Sequence, residues 1–258
     1  QYAGAVIVFN ALGAGFLFLI LMYQGMLPWN PQNLHGLSPS LAFNIAVSFM
    51  TNTNWQSYSG ETTLSLFSQM LGLTVQNFLS AATGLAVAMA VIRGFVRREQ
   101  SSLGNFYVDV TRAVLYVLLP LSLLFAIFLV WQGVPQTTHT SVTATTLEGA
   151  QQTIAQGTVA SQIAIKMLGS NGGGYFNANA AHPYENPTPL SNFFQLISIL
   201  LLAASVVVAF GKMVGDKRQG WALRASMTLL LLMTFALCYY AEMQSHPAWQ
   251  ALGISSEG

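Results

Sequence analysis

The chain has 258 residues, of which 53% are apolar and 7% are charged. Soluble domains carry about 25% charged residues, so this composition excludes a soluble globular fold and indicates an integral membrane protein. The net charge of +1 gives no reason to expect a nucleic-acid partner.

Five segments are long and apolar enough to cross a bilayer, which takes about 20 residues. They run over residues 2–24, 64–92, 106–132, 191–211 and 221–243, and none has a charge near its centre. We therefore expect an all-α integral membrane fold. In the third segment Pro120 predicts a kink, because proline lacks the backbone donor. Asp109 and Arg112, three residues apart near its start, are expected to pair locally.

The basic residues predict the orientation of these spans. Eight of the nine Lys and Arg residues lie in or beside two connections. They are Arg93, Arg97, Arg98, Arg112, Lys212, Lys217, Arg218 and Arg224. Because cytoplasmic loops are enriched in Lys and Arg, residues 93–112 and 212–220 are predicted to be cytoplasmic loops. Residues 25–60 and 133–190 and the C-terminal tail then face outward.

Two further apolar stretches, at residues 40–50 and 159–168, are too short to span and are typical of re-entrant half-helices. A polar segment follows each of them, TNTNWQ at 51–56 and GSNGGG at 169–174. An offset of 118 residues places Ile45 on Ile163 and residues 51–54 on residues 169–172. Internal repeats of this kind are common in transport proteins.

The chain is thus organised as span, half-helix, polar segment and span, twice over. We predict a first pore repeat over residues 1–92 and a second over residues 106–211. Residues 221–258 would contain the first span of a third repeat and an outer tail.

The polar segments have the chemistry of a site for a monovalent cation. The C-terminal end of each half-helix carries partial negative charge, and the following carbonyls and the hydroxyls of Thr51, Thr53 and Ser170 add neutral oxygens. Such oxygens can replace the hydration shell of a monovalent ion. There is no Asp or Glu in residues 1–60 or 149–184. Glycine and asparagine tolerate the positive φ that alternating carbonyls need. Each segment by itself could equally be a surface turn or a flexible loop.

Lys166 precedes the second polar segment by one turn and has two possible roles. Its amine could extend along the apolar surface to the outer interface. Alternatively, it could form a buried pair with Glu61 or Glu185 that braces the lining.

Several longer strings resemble one family. They are NPQNLHGLS, AVSFMTNTNWQSYSGETTLS, GLTVQNFLSAA, IKMLGSNGGGYFNANAAHPYENPTPLSNF and GDKRQG. Together they resemble the potassium-binding, pore-forming A subunit of the bacterial Kdp potassium pump, along the whole chain. The resemblance implies the potassium-transporter superfamily, with four span, half-helix, filter and span repeats around one pore. It implies filter residues Thr51, Asn52, Thr53, Asn54 and Gln56 in the first repeat, and Gly169, Ser170, Asn171, Gly172 and Gly173 in the second.

The same resemblance implies that the subunit is not itself catalytic. ATP would be hydrolysed by a P-type ATPase partner, the B subunit, with small accessory C and F subunits, in the bacterial inner membrane. The filter would open to the outside, potassium would be the only ligand, and this chain would be a fragment lacking two filter segments. A potassium channel or an ion-coupled symporter of the same superfamily is the alternative. An integral membrane enzyme is disfavoured, since no phosphorylation motif or paired His or Asp lies within a span.

Overall fold

The computed structural model describes residues 1–96 and 103–244. Arg97, Arg98 and the predicted outer tail beyond residue 244 lie outside the described residues. The chain forms two compact units, Gln1–Val206 and Val207–Gly258.

The described residues are predominantly helical. The α-helices are α1 (Tyr2–Tyr23), α2 (Pro39–Met50), α3 (Gly60–Thr63), α4 (Val75–Val96), α5 (Phe106–Arg112), α6 (Leu119–Trp131), α7 (Val159–Leu168), α8 (Pro189–Met213) and α9 (Lys217–Glu242). Two π-helices, Ser68–Thr74 and Ala113–Leu118, and two 3-10 turns, Gln24–Met26 and Ala178–Ala180, complete the helical part. The strands are β1 (Ser141–Thr145) and β2 (Gln151–Ala155).

Five helical runs have the length and composition to cross a membrane. They are Tyr2–Met26, Ser68–Val96, Phe106–Trp131, Pro189–Met213 and Lys217–Glu242. Each lies within four residues of a predicted span at both ends. The expected helical membrane fold is therefore confirmed.

The third span is a composite of three helical segments. The π-helix Ala113–Leu118 joins α5 to α6, and Pro120 lies in the first turn of α6. A wider π turn is one of the ways in which a helix accommodates an interrupted hydrogen-bond ladder. A π-helix thus lies directly on the N-terminal side of Pro120, the residue at which a kink is predicted.

The expected local pair between Asp109 and Arg112 is wrong. The carboxylate of Asp109 instead accepts two hydrogen bonds from Arg93, at 2.6 Å from Nη1 and 2.7 Å from Nη2. The Tyr2 hydroxyl donates to the same carboxylate at 3.0 Å. A bidentate guanidinium contact is stronger than a single-point pair. Asp109 therefore pairs with Arg93 of α4 and not with Arg112, its neighbour in sequence.

A β-hairpin in the connection after α6 was not predicted. Strands β1 and β2 pair antiparallel, with Val142 opposite Ile154. At the turn, the Thr146 N–H donates to the Ala150 carbonyl at 2.8 Å, and Gly149 adopts φ +84°. The β-branched residues of SVTAT and the glycine at positive φ are the local signals for this hairpin.

Each of the two short helices packs against membrane-spanning helices. Helix α2 packs against α1, where Ile45 and Phe49 share an apolar cluster with Leu17 and Leu21. Helix α7 packs against α6, with Ile163 beside Leu129. All residues of α7 except Ser161 are buried. Because other segments cover α7, that helix can end at polar backbone without exposing it to lipid, whereas α2 is covered on one side only and leaves Phe43 64% exposed.

The predicted orientation can be tested by labelling single cysteines in the full-length protein. Gln151 begins β2 and should be external, whereas Gln100, which lies outside the described residues, should be cytoplasmic. In a Cys238→Ser background, an impermeant thiol reagent applied to intact cells is expected to label Gln151→Cys and to spare Gln100→Cys. The reverse pattern would invert the topology.

Candidate ion-binding site

The two short helices end in the same way. Helix α2 stops at Met50, and the Thr51 N–H closes its last turn on the Val47 carbonyl at 3.0 Å. Helix α7 stops at Leu168, and the Gly169 N–H closes on the Ile165 carbonyl at 2.7 Å. The offset of 118 residues that aligns the two sequences therefore also aligns the two helix ends.

The same offset relates the backbone of the two polar segments. The Thr53 N–H donates to the Ser48 carbonyl at 3.0 Å, and the Asn171 N–H donates to the Lys166 carbonyl at 2.9 Å.

Positive φ recurs at every second residue of both segments. In the first segment it occurs at Asn52 (63°) and Asn54 (54°), and in the second at Ser170 (52°) and Gly172 (90°). Gly173 adds a further positive φ of 67° in the second segment only. Alternating signs of φ allow successive carbonyls to face the same axis. The Asn and Gly content of the segments led us to expect this alternation.

The structure brings the two polar segments into contact. The Asn52 amide donates to the carbonyls of Gly169 at 3.1 Å and Ser170 at 3.3 Å. The Asn171 amide donates back to the side-chain oxygen of Asn52. Two segments separated by more than a hundred residues thus form one polar cluster.

Helix α4 contributes a scaffold that the sequence analysis did not identify. Ser80 Oγ donates to the Asn52 side-chain oxygen at 2.8 Å, and the Asn171 amide donates to Ser80 Oγ at 3.1 Å. The Asn54 amide donates to the side-chain oxygen of Asn77. Asn77 and Ser80 are three residues apart on one helical face, and a polar pair at that spacing within an apolar span is the signal that could have found them.

Backbone carbonyls remain available in the cluster. Those of residues 51–54, 171 and 172 accept no hydrogen bond from the residues that the structure describes. More of the side chains are hydrogen-bonded within the protein than we expected. Ser170 Oγ, for example, donates to the Ile199 carbonyl at 2.7 Å. The hydroxyls of Thr51 and Thr53 lie 2.9 Å apart, and both residues are exposed. The arrangement therefore offers mainly carbonyl oxygens.

The second segment is held from several sides. Gln56 Oε1 accepts from the Gly174 N–H at 2.8 Å, and Asn179 Oδ1 accepts from the Gly173 N–H at 2.7 Å. Glu185 is fully buried, and its Oε1 accepts from the backbone N–H of Tyr175. Burial raises the pKa of the Glu185 carboxyl to about 7.

Lys166 takes neither of the two positions expected for it. Its side chain is 2% exposed, so the amine does not extend to the surface of the described structure. Among the described residues it forms no direct ion pair with Glu61 or Glu185, so the contact that we predicted is wrong, although Glu185 interacts with it through space. Its ammonium instead donates to the Gly173 carbonyl. A buried ammonium needs hydrogen-bond acceptors, and the end of the polar segment supplies one.

Fold and site together define a helical, multi-pass membrane protein in which two short helices end in polar segments that contact each other. The family model described as KdpA, potassium-transporting ATPase A subunit, matches residues 1–258. The chain belongs to this family.

Three curated relatives illustrate the similarity, each named potassium-transporting ATPase potassium-binding subunit. The relative from Methylorubrum extorquens is 60% identical over 254 residues, which is 98% of this chain and 44% of the relative. That from Methylobacterium nodulans is 59% identical, with the same shares covered. That from Rhodospirillum centenum is 58% identical over 99% of this chain and 44% of its own. The chain spans less than half the length of these relatives.

Proposed function

We propose that the chain contributes two of the segments that bind and conduct potassium in the potassium-binding subunit of an ATP-driven import complex. The observation that carries the proposal is the pair of polar segments related by one offset, whose carbonyls at 51–54, 171 and 172 accept no hydrogen bond from the described residues. Neutral carbonyls can substitute for the hydration shell of a monovalent cation. The names of the relatives support potassium as that ion.

The hydrogen bonds that the side chains form within the cluster suggest a division of roles between backbone and side chains in the proposed site. The filter would be formed by residues 51–54 and 169–173, with oxygens mainly from the backbone. Asn52, Asn54 and Asn171 would hold the segments to each other and to α4. Gln56 would secure the second segment through the Gly174 N–H, and Lys166 and Glu185 would brace it from behind.

In this proposal the chain binds the ion and does not hydrolyse ATP. Hydrolysis belongs to a P-type ATPase partner, the B subunit, and the small C and F subunits complete the complex. The complex lies in the bacterial inner membrane with the filter open to the outside. The word ATPase in the names of the relatives supports such an assembly.

Potassium uptake by the full-length subunit tests the proposal and separates it from the channel or symporter alternative. In cells that lack other potassium import systems, the subunit produced with its ATPase partner is expected to support growth at limiting potassium. Replacing the phosphorylated aspartate of the partner should abolish uptake. Uptake that persists without a functional partner would favour the channel or symporter, and its absence under all conditions would contradict the proposal.

A further inference from the structure

In both repeats, the carbonyls that accept no hydrogen bond from the described residues (51–54 in the first, 171 and 172 in the second) are followed by a carbonyl that accepts a hydrogen bond from a side chain. In the first, Ser48 Oγ donates to the Trp55 carbonyl at 3.1 Å. In the second, the Lys166 ammonium donates to the Gly173 carbonyl. The offset of 118 residues relates both the donors and the acceptors. The two contacts are therefore equivalent in position.

The equivalent donors differ in charge. Ser48 and Lys166 are both buried, but only Lys166 places a positive charge behind its segment. Glu185 does not neutralise this charge by contact, since its Oε1 accepts from the N–H groups of Tyr175 and Phe176 and it forms no ion pair with Lys166 among the described residues. One side of the cluster thus faces the positive charge of Lys166, which Glu185 offsets through space but not by a direct ion pair.

We propose that Lys166 is a specificity-determining residue whose charge makes the site discriminate against divalent cations. The proposal rests on the potassium-binding function proposed above. A fixed positive charge opposes a bound cation in proportion to the charge of that cation, so a divalent ion is penalised twice as much as a monovalent ion at the same place. Carbonyl oxygens alone favour the higher charge, and Lys166 opposes that preference. The neutral donor Ser48 braces its carbonyl without this effect.

Barium and potassium form a suitable pair of probes because they are similar in size and differ in charge. Dissociation constants for K⁺ and Ba²⁺ would be measured by calorimetric titration of the purified full complex. In Lys166→Gln, which keeps an N–H donor and removes the charge, the affinity for Ba²⁺ relative to K⁺ is expected to rise about tenfold or more. On a logarithmic scale the gain for Ba²⁺ should be about twice the gain for K⁺.

Two variants separate charge from geometry. Lys166→Arg keeps the charge and should leave the Ba²⁺ to K⁺ ratio within about threefold of the parent. Ser48→Ala removes the equivalent brace without changing any charge, and it should not raise the affinity for Ba²⁺ relative to K⁺. If Lys166→Gln does not assemble, Lys166→Met tests the same loss of charge. If neither assembles, a ratio changed well beyond threefold in Lys166→Arg would overturn the proposal.

The outcomes distinguish this inference from the function on which it rests. If the parent complex binds K⁺ and the charge-removing variant has an unchanged ratio of Ba²⁺ to K⁺ affinity, Lys166 does not determine specificity. The proposed potassium site would still hold. A parent complex that binds no K⁺ would instead contradict the proposed function itself.

Discussion

Gly172→Ala is expected to weaken potassium binding and to narrow the preference for potassium over sodium. Gly172 adopts φ +90°, where a Cβ costs about 1–2 kcal/mol. That Cβ would lie 3.4 Å from the Thr53 carbonyl oxygen of the other segment. The strain is expected to displace carbonyls of both segments and to lower potassium affinity about 5- to 30-fold. Sodium, which is smaller and tolerates a distorted shell better, should lose less.

The effect would be measured as ATPase activity of the purified full complex, titrated with each ion. Leu201→Ile is the control, since Leu201 lies in the exposed part of α8 and the substitution conserves volume. It should change neither the potassium affinity nor the ratio. If Gly172→Ala also left both quantities intact, residues 169–174 would be a loop and not a filter.

Gly60→Ala is expected to lower the stability of the fold, and by more than the control substitution Gly84→Ala described below. Gly60 begins α3 and is buried. A Cβ there would overlap the Tyr175 carbonyl oxygen and lie 2.6 Å from Gln69 Nε2. Since Gln69 Nε2 donates to that carbonyl at 3.1 Å, backbone and donor would both have to move. Overpacking of this kind costs about 1–3 kcal/mol, and the melting temperature of the detergent-purified complex should fall accordingly.

Gly84→Ala provides the matched control for this loss. Gly84 lies within α4, and a Cβ there would meet nothing within 4 Å in this chain. Alanine is favoured over glycine inside a helix by about 0.5–1 kcal/mol, so the melting temperature should stay constant or rise slightly. Equal losses from both substitutions would show that the close approach of Gly60 to Tyr175 is not what limits stability.

Features set by local composition could be predicted from the sequence. The spans follow from apolar length, and helices α2 and α7 follow from stretches too short to span. The offset of 118 residues was visible in hydropathy and recurs in the backbone hydrogen bonds, from Thr53 to Ser48 and from Asn171 to Lys166. In each case the deciding interaction lies within a few residues of the chain.

Features set by distant partners could not be predicted in the same way. Arg93 is 16 residues from Asp109, and its bidentate contact outweighs the local attraction of Arg112. Asn77 and Ser80 look like isolated polar residues until Asn52, Asn54 and Asn171 are placed beside them. The position of Lys166 depended on an acceptor in the polar segment, whereas sequence reasoning considered only acidic partners. Hydrogen-bond choice among several acceptors is a property of tertiary structure.

The bonds between the two polar segments also have a consequence for biosynthesis. Asn52 donates to a carbonyl 118 residues later in the chain, so the first segment is synthesised before its partner exists. At the usual rate of about 5–20 residues per second, it waits for roughly 6 to 24 seconds with polar groups unpaired. During that interval water, neighbouring lipid headgroups or the insertion machinery must satisfy these groups. The first repeat is therefore expected to remain open until the second has entered the membrane, and the cluster closes late in folding.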